Sequence, residues 1–230
     1  MSRVAIVTGG ASGMGRATVE QLRARGVVVV SFDLDGDDPV DVADEAQVQR
    51  AVAVVRGEHG PVDILVNCAG LGAGGLPDAD GYLESWQRSL AVNLTGPMLM
   101  VRACIGDLVA SGAGRIVNVA STEGLGAQRN TGPYTAAKHG LVGFTRSLAV
   151  DYGRAGVTAN CVCPGATSTR MTSIIPESHK ETFAKRNIPV GRYATPDEIA
   201  YMIVALTELE ASFVNGAIIP VDGGMTARNA

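Results

Sequence analysis

The most informative part of this sequence for the fold is Val4-Ala5-Ile6-Val7-Thr8-Gly9-Gly10-Ala11-Ser12-Gly13-Met14-Gly15. Its four apolar residues predict a strand, and the glycines after them predict a tight turn into a helix. In such a turn the backbone N–H groups come close to an anion, and the helix dipole favours negative charge. The stretch therefore predicts a pyrophosphate-binding loop; a glycine-rich turn without a ligand is the alternative. The candidate binding residues are Gly9, Ser12, Gly13, Met14 and Gly15.

The rest of the 230 residues repeats this alternation of short apolar runs and longer helical patterns. Short strands that are apolar throughout are typical of parallel sheets covered on both faces. The pattern predicts an α/β fold, a doubly wound Rossmann-like parallel sheet with helices on both faces, in one domain spanning residues 1–230. Strands are predicted at Val4–Val7, Val27–Phe32, Ile64–Val66, Arg115–Val119, Val157–Val162 and Ala217–Val221, and helices at Gly15–Arg25, Glu45–Glu58, Leu83–Val109, Tyr134–Tyr152 and Asp197–Leu209.

Composition excludes several classes of function. The net charge is −4 and there is no basic stripe, so we expect neither a nucleic-acid partner nor a cationic membrane-surface helix. No stretch approaches about 18 consecutive apolar residues, so we expect no membrane span.

The cysteines and histidines indicate neither a metal site nor an oxidising compartment. Cys68, Cys104, Cys161 and Cys163 form no C-x-x-C pair and the three histidines are scattered, so no metal site is predicted. The cysteines lie in apolar runs, which is typical of buried thiols in a reducing compartment. Met1-Ser2-Arg3 leads directly into the first strand without a signal-peptide pattern. We therefore expect a cytoplasmic protein.

An acidic residue follows the second predicted strand. Asp33 lies about 18 residues beyond Gly15, where a carboxylate can accept hydrogen bonds from an adenosine ribose diol and repel a 2′-phosphate. Position 12 is Ser, and no Lys or Arg follows Asp33 closely. These features favour NAD over NADP. The alternative is that Asp33 only begins the acidic turn Asp35-Gly36-Asp37-Asp38.

A tyrosine and a lysine begin the helix after Gly132-Pro133. Tyr134 and Lys138 are four residues apart, which puts them on one helix face. An ammonium beside a phenol stabilises the phenolate, so the pair can exchange a proton with an alcohol or ketone. Ser121 ends a predicted strand at the edge of the sheet where ligands bind, and its hydroxyl can orient a substrate oxygen. The alternatives are a surface helix with an unrelated Tyr and Lys, and a turn-forming Ser.

Together these residues resemble the short-chain dehydrogenase/reductase family over nearly the whole chain. The resemblance rests on Thr8-Gly9-x-x-x-Gly13-x-Gly15, Asp41-Val42, Asn67-Cys68-Ala69-Gly70, Val92-Asn93-Leu94-Thr95-Gly96, Cys163-Pro164-Gly165 with Thr169, and Val221-Asp222-Gly223-Gly224. It implies that Asn93, Ser121, Tyr134 and Lys138 form a catalytic tetrad, in which Asn93 anchors a proton-relay water. It also implies cofactor contacts from Asp41, Val42, Asn67, Ala69, Gly70, Tyr134, Lys138, Pro164, Gly165, Thr167 and Thr169.

The chain departs from the family pattern at two points. Cys68 stands where the family has a second Asn, which should alter the turn slightly without removing function. Only Leu34–Val40 lie between Asp33 and Asp41, where the family usually has a helix and the start of a strand, so the third helix is expected to be deleted. The trimmed pattern resembles bacterial hydroxysteroid dehydrogenase and carbonyl reductase members.

The long aperiodic stretch Gly165–Tyr193 predicts a substrate lid at about residues 167–193. Its apolar residues Met171, Ile174, Ile175 and Phe183 indicate an alicyclic or steroid-like substrate, with ordinary packing of the lid as the alternative. Glu123, Gln128 and Asn130 are candidate polar contacts.

The leading hypothesis is an NAD(H)-dependent oxidoreductase of secondary alcohols and ketones, with a small-molecule substrate. The resemblance implies a homo-oligomer, a dimer or a homotetramer. One alternative is a 3-oxoacyl-carrier-protein reductase; those enzymes usually favour NADPH, which Asp33 argues against. Another is a non-catalytic nucleotide-sensing protein on the same fold.

Overall fold

A six-stranded parallel sheet forms the centre of the molecule, in the order β2-β1-β3-β4-β5-β6. The computed structural model describes residues 2–36 and 38–228, so Met1, Asp37 of the acidic turn and residues 229–230 lie outside it. The strands are β1 (Val4–Thr8), β2 (Val28–Phe32), β3 (Ile64–Asn67), β4 (Arg115–Val119), β5 (Thr158–Pro164) and β6 (Ile218–Val221). The strand order reverses at β1, which lies between β2 and β3, and ligands bind at such a switch point.

Helices cover both faces of the sheet, as the sequence predicts. They are α1 (Gly13–Ala24), α2 (Glu45–His59), α3 (Tyr82–Leu90), α4 (Gly96–Ala110), α5 (Gly132–Tyr152), α6 (Glu177–Asn187) and α7 (Pro196–Ala205). On one face Leu22 of α1 packs with Ile199 of α7. On the other face Val52 of α2 and Met100 of α4 pack together. Alternate residues of β1 enter the two cores, because side chains along a strand point to opposite faces.

The predicted helix Leu83–Val109 is interrupted. A π-helical turn, Ala91–Thr95, separates α3 from α4. Pro97 follows it and has no N–H to donate to the carbonyl four residues earlier, so regular α-helical bonding cannot continue through this point. Asn93 lies in the π turn, whose geometry the helical periodicity of the sequence does not reveal.

The combined helical run Tyr82–Ala110 is long and apolar enough to cross a membrane by length and composition, because an 18-residue window within it has a mean hydropathy of 1.2. This differs from the expectation drawn from consecutive apolar residues. Half of that window is buried inside the fold, and Met100, Cys104 and Leu108 lie fully in the core. The run therefore packs as a core helix does.

The predicted aperiodic stretch Gly165–Tyr193 and the predicted deletion after β2 can be compared with the structure. Helix α6 lies inside the stretch predicted to be aperiodic, and only Ala184 of this helix is buried. Because a helix with one buried residue has no apolar stripe, its period is invisible in the sequence. Between β2 and α2 the described residues form no helix, which confirms the expected deletion. There the N–H of Val40 donates to the carbonyl of Asp33 at 2.8 Å and closes the shortened turn.

Candidate active site

A cleft of about 380 Å³ opens at the carboxyl end of the sheet. It runs from the glycine loop after β1, past the end of β2, to the first turns of α5. Most of the predicted cofactor residues line it: Gly9, Ser12, Gly13, Met14, Gly15, Asp33, Asp41, Val42, Ala69, Gly70, Tyr134, Lys138 and Thr169. The tertiary fold thus brings together residues that are distant in the sequence.

The glycines of the loop after β1 allow parts of its backbone to lie close together. A Cβ at Gly15 would lie 2.0 Å from the carbonyl oxygen of Gly9, and Gly9 itself has a φ of +71°. Ser12 is the N-cap of α1 but its side chain makes no capping hydrogen bond, and the first turn holds no acidic residue. A helix N-terminus whose N-cap side chain makes no capping bond and whose first turn carries no acid suits an anion. The loop therefore fits the pyrophosphate of a dinucleotide.

Thr8 ties the loop after β3 to the end of β1. Its Oγ1 accepts hydrogen bonds from the N–H groups of Cys68 and Ala69, each at 3.0 Å.

Cys104, Cys161 and Cys163 are buried as predicted, whereas Cys68 is only half-buried and lines the cleft. Burial of its thiol raises the pKa of Cys68 to about 12, so this thiol is neutral at physiological pH.

Asp33 lies at the far end of the cleft. Its Oδ2 accepts from the N–H of Ala11 at 2.9 Å, and its Oδ1 accepts from the N–H of Asp35 at 3.1 Å. Asp33 therefore does begin the acidic turn, and it also faces the cleft. The shortened turn brings Val40 next to Val42 on the same wall, and both are buried.

Lys138 and Tyr134 share the other end of the cleft. Lys138 is 3% exposed, and its Nζ donates to the carbonyl oxygen of Val119 at 2.9 Å. This Nζ lies 5.5 Å from the centre of the Tyr134 ring. The hydrogen bond to β4 fixes the ammonium, and the helical spacing fixes the phenol beside it. The arrangement can hold and exchange a proton at the Tyr134 hydroxyl.

Ser121 is half-buried and follows Val119 and Ala120, which line the cleft, but Ser121 is not itself one of the lining residues. Its Oγ accepts from the N–H of Glu123 at 3.1 Å. Because a hydroxyl has one donor and two acceptor sites, the O–H of Ser121 remains able to donate to a substrate oxygen.

Asn93 lies behind the cleft and holds the loop that borders it. Its Nδ2 donates to the carbonyl of Leu71 at 3.0 Å, and its Oδ1 accepts from the N–H of Leu71 at 3.2 Å. A Cβ at Gly70 would lie 2.9 Å from Asn93 Oδ1 and 3.6 Å from Lys138 Nζ. Gly70 thus allows Asn93 and Lys138 to approach the same point.

Four predicted cofactor residues do not line the cleft. Asn67 is buried in the sheet and donates to Asn118 Oδ1 at 2.8 Å, while its own Oδ1 has no protein partner in the described part of the chain. Pro164 ends β5, and Gly165 packs against Asp222. Thr167 is buried, and its hydroxyl donates to the Gly165 carbonyl at 3.0 Å. Their contact with a cofactor remains a prediction.

Sequence reasoning missed several residues that line the cleft. They are Phe32, Leu34, Asp35, Val40, Cys68, Leu71, Val92, Val119, Ala120 and Arg170, whereas Met171, which also lines the cleft, belongs to the predicted lid. Phe32, Val119 and Ala120 lie at strand ends, a signal that could have found them. The others come from turns and loops and, for Val92, from the π turn Ala91–Thr95, where the sequence has no local marker. No group of three or more potential metal ligands occurs among residues 2–36 and 38–228.

Comparisons with known proteins agree with this geometry. A family sequence model described as enoyl-(acyl carrier protein) reductase matches residues 9–226. The chain is 39% identical to cis-4-hydroxycyclohexanecarboxylate dehydrogenase of Sinomonas cyclohexanicum, covering 98% of this chain and 97% of the relative. The structure of levodione reductase matches with a TM-score of 0.91 and 33% identity, over 99% of this chain and 98% of that one. An actinorhodin polyketide ketoreductase solved with NADPH matches with a TM-score of 0.90 and 32% identity.

The fold and the cleft define an oxidoreductase that uses a nicotinamide cofactor. The chain belongs to the short-chain dehydrogenase/reductase family.

Proposed function

We propose that this protein is an NAD(H)-dependent dehydrogenase of secondary alcohols that also reduces the matching ketones. The observation that carries this is the cleft in which Tyr134 and the buried ammonium of Lys138 lie opposite the glycine loop and Asp33. A cleft that holds a proton-exchanging pair at one end and an adenosine-type carboxylate at the other suits hydride transfer to or from a carbinol carbon.

The chain's own residues control the proton. When bound, the nicotinamide supplies the hydride chemistry. The Tyr134 oxygen accepts the proton of the alcohol during oxidation and returns it during reduction. Lys138, held by the Val119 carbonyl, stabilises the phenolate by its charge. Ser121 donates its O–H to the substrate oxygen and orients it, and Asn93 holds the loop at Leu71 beside Lys138.

We propose NAD as the preferred cofactor. Support comes from the Asp33 carboxylate, which lines the cleft and is held by the Ala11 N–H. A 2′-phosphate placed there would face this negative charge. Arg170 and Asp35 also line the cleft, and Arg170 Nη1 lies 2.7 Å from Asp35 Oδ2. Its charge is therefore already partnered.

The proposed substrate class is alicyclic. The lid at about residues 167–193 presents Met171 and Ile174 to solvent, 51% and 87% exposed, and Met171 lines the cleft. A Cβ at Gly72 would lie 3.7 Å from Met171 Sδ, so Met171 covers the loop beside the substrate end. Phe183 instead packs edge-on against Tyr193. Met171 and Ile174 are thus available to contact an apolar ring. This agrees with the similarity to cis-4-hydroxycyclohexanecarboxylate dehydrogenase.

We further propose that residues 1–230 act as one domain, in the cytoplasm, as a dimer or homotetramer. All four cysteines are free thiols, which agrees with a reducing compartment. The proposed oligomer follows the family resemblance.

The test is turnover of a panel of cyclic, steroidal and aliphatic alcohols with NAD⁺ or NADP⁺, followed by NADH or NADPH absorbance. We expect cyclic secondary alcohols with NAD⁺ to react fastest, and Tyr134→Phe to reduce kcat by about 100-fold or more, since it removes the proton-exchanging hydroxyl. Turnover that survives Tyr134→Phe contradicts the mechanism. NADPH-dependent reduction of a 3-oxoacyl thioester in preference to cyclic ketones would identify a 3-oxoacyl-carrier-protein reductase instead. Cofactor binding without turnover on any substrate would support the nucleotide-sensing alternative.

A further inference from the structure

A buried carboxylate lies two residues after Ser121. Glu123 is 6% exposed, and its Oε2 accepts three hydrogen bonds. The donors are the N–H of Gln128 at 3.1 Å, the hydroxyl of Thr131 at 2.9 Å and the hydroxyl of Thr135 at 2.5 Å. A charged acceptor makes stronger hydrogen bonds than a neutral one, so this cluster holds its members firmly.

These partners belong to the start of the helix that carries the catalytic pair. Thr131 is the N-cap of α5, and its side chain makes no capping bond to the helix backbone. Thr135 directly follows Tyr134 in the first turn. The Glu123 carboxylate therefore stands at the N-terminus of α5, where negative charge is favourable.

The backbone of the same residue reaches the serine. The N–H of Glu123 donates to Ser121 Oγ at 3.1 Å. One residue thus contacts Ser121 through its main chain and the first turn of α5 through its side chain. No other described hydrogen bond joins the Ser121 turn, residues 121–124, to the side chains of Thr131 and Thr135.

We propose that Glu123 is a positioning residue that fixes the spacing between Ser121 and Tyr134, a role that rests on the proposed function. Ser121 and Tyr134 must meet the same substrate oxygen, and displacing one group by about 1 Å can cost about 100-fold in rate. Glu123 does not line the cofactor cleft, so its loss should affect hydride transfer more than cofactor binding.

The experiment uses matched substitutions in the full chain. Glu123→Met keeps the length and removes the acceptor, whereas Glu123→Gln keeps one acceptor oxygen. Thr135→Val removes one donor and Thr135→Ser restores it. Glu58→Gln, an exposed position on α2, is the control. Stopped-flow single-turnover rates of hydride transfer are measured with saturating cofactor and alcohol, together with the Kd of NADH by fluorescence.

We expect Glu123→Met to slow the single-turnover rate by about 30-fold or more, with the Kd of NADH within about 2-fold. Glu123→Gln and Thr135→Ser should stay within about 5-fold of the wild-type rate, because they keep the acceptor or the donor. A merely structural role lowers the amplitude of the single turnover, which counts folded sites, and leaves its rate constant unchanged. That outcome, or an equal loss in Glu58→Gln, overturns the proposal.

A second readout separates this proposal from the proposed function. Hydrogen–deuterium exchange followed by mass spectrometry is measured over residues 122–138 in wild type and Glu123→Met. Faster exchange at residues 132–138 in Glu123→Met supports the anchoring of α5 even if no alcohol in the panel reacts. Unchanged exchange there overturns the anchoring, whatever the wild-type turnover.

Discussion

The carboxylate of Asp33 accepts a hydrogen bond from the N–H of Ala11 at 2.9 Å, which joins the end of β2 to the glycine loop after β1. The residue proposed to recognise the adenosine ribose is therefore also a support of the phosphate loop. A substitution at Asp33 can act on either function, and an isosteric variant separates them.

Asp33→Asn keeps an oxygen for the Ala11 N–H and removes the negative charge. We expect the ratio of kcat/KM for NADP⁺ to that for NAD⁺ to rise by about 10-fold, or about 1.4 kcal/mol, because repulsion of the 2′-phosphate is lost. Steady-state kinetics with both cofactors measure this ratio. Asp33→Ala should raise the ratio too, with weaker binding of both cofactors through loss of the loop support. An unchanged ratio in both variants shows that Asp33 does not select the cofactor.

An ion pair joins the proposed lid to the end of the cleft proposed to hold the adenosine. Arg170 Nη1 lies 2.7 Å from Asp35 Oδ2, with 76% and 64% of the two side chains exposed. We expect Arg170→Met to weaken NADH binding by about 2- to 5-fold at low salt and by less at 0.5 M salt, since exposed pairs are weak and screened. Fluorescence titration measures the Kd.

The matched control for that ion pair is Arg102→Met. Arg102 forms a similarly exposed pair with Glu45 at 3.6 Å, and neither residue lines the cleft. Arg102→Met should therefore leave the Kd of NADH unchanged at every salt concentration. Equal weakening in both variants would mean that overall charge, and not the link between lid and adenosine end, affects cofactor binding.

Stability in acid should depend on Glu198. Its hydrogen bonds with Arg192 and with the N–H of Thr195 lower the pKa of Glu198 to about 2 from a usual value of 4.5. A lowered folded-state pKa stabilises the protein above the unfolded pKa, and this stability is lost as the pH falls from about 4.5 towards 2. We expect Glu198→Gln to lower the Tm at pH 7 and to have a much smaller effect near pH 2.5.

Thermal unfolding across pH 2.5–7 checks this expectation, with Glu58→Gln as the exposed control. Thr195 and Glu198 form a capping box at the start of α7. Glu58 has no such role, so Glu58→Gln should show no comparable loss of Tm at pH 7. A loss in Glu198→Gln that is the same at pH 2.5 and pH 7 would contradict the charge-based account.

Cys68 should react slowly even though it lines the cleft. Burial raises the pKa of its thiol to about 12, so little thiolate exists at pH 8. We expect alkylation by iodoacetamide to run about 1,000-fold slower than for free cysteine and to rise about tenfold per pH unit. Mass spectrometry of the peptide that contains Cys68 gives the rate. Alkylation at the free-cysteine rate would show that the thiol is not buried in solution.

Much of the site is predictable from the sequence because its markers are local. The glycine loop, Asp33 at a strand end and the i, i+4 pair of Tyr134 and Lys138 each show their chemistry within a few residues, and all of them line one cleft. Helix α6 and the π turn at Asn93 were not predictable, because the first lacks an apolar stripe and the second keeps helical periodicity.

The alternation of strands and helices, the family, and the residue types available for proton exchange follow from the amino-acid sequence alone, since periodicity and motif spacing are properties of neighbouring residues. Which of these residues come into contact depends on the tertiary structure. The bond from Lys138 to the Val119 carbonyl, the pairing of Arg170 with Asp35 and the contacts of the Glu123 carboxylate at the start of α5 depend on how separate segments pack. Local patterns determine elements, whereas packing of these elements against one sheet determines distances between side chains far apart in the chain.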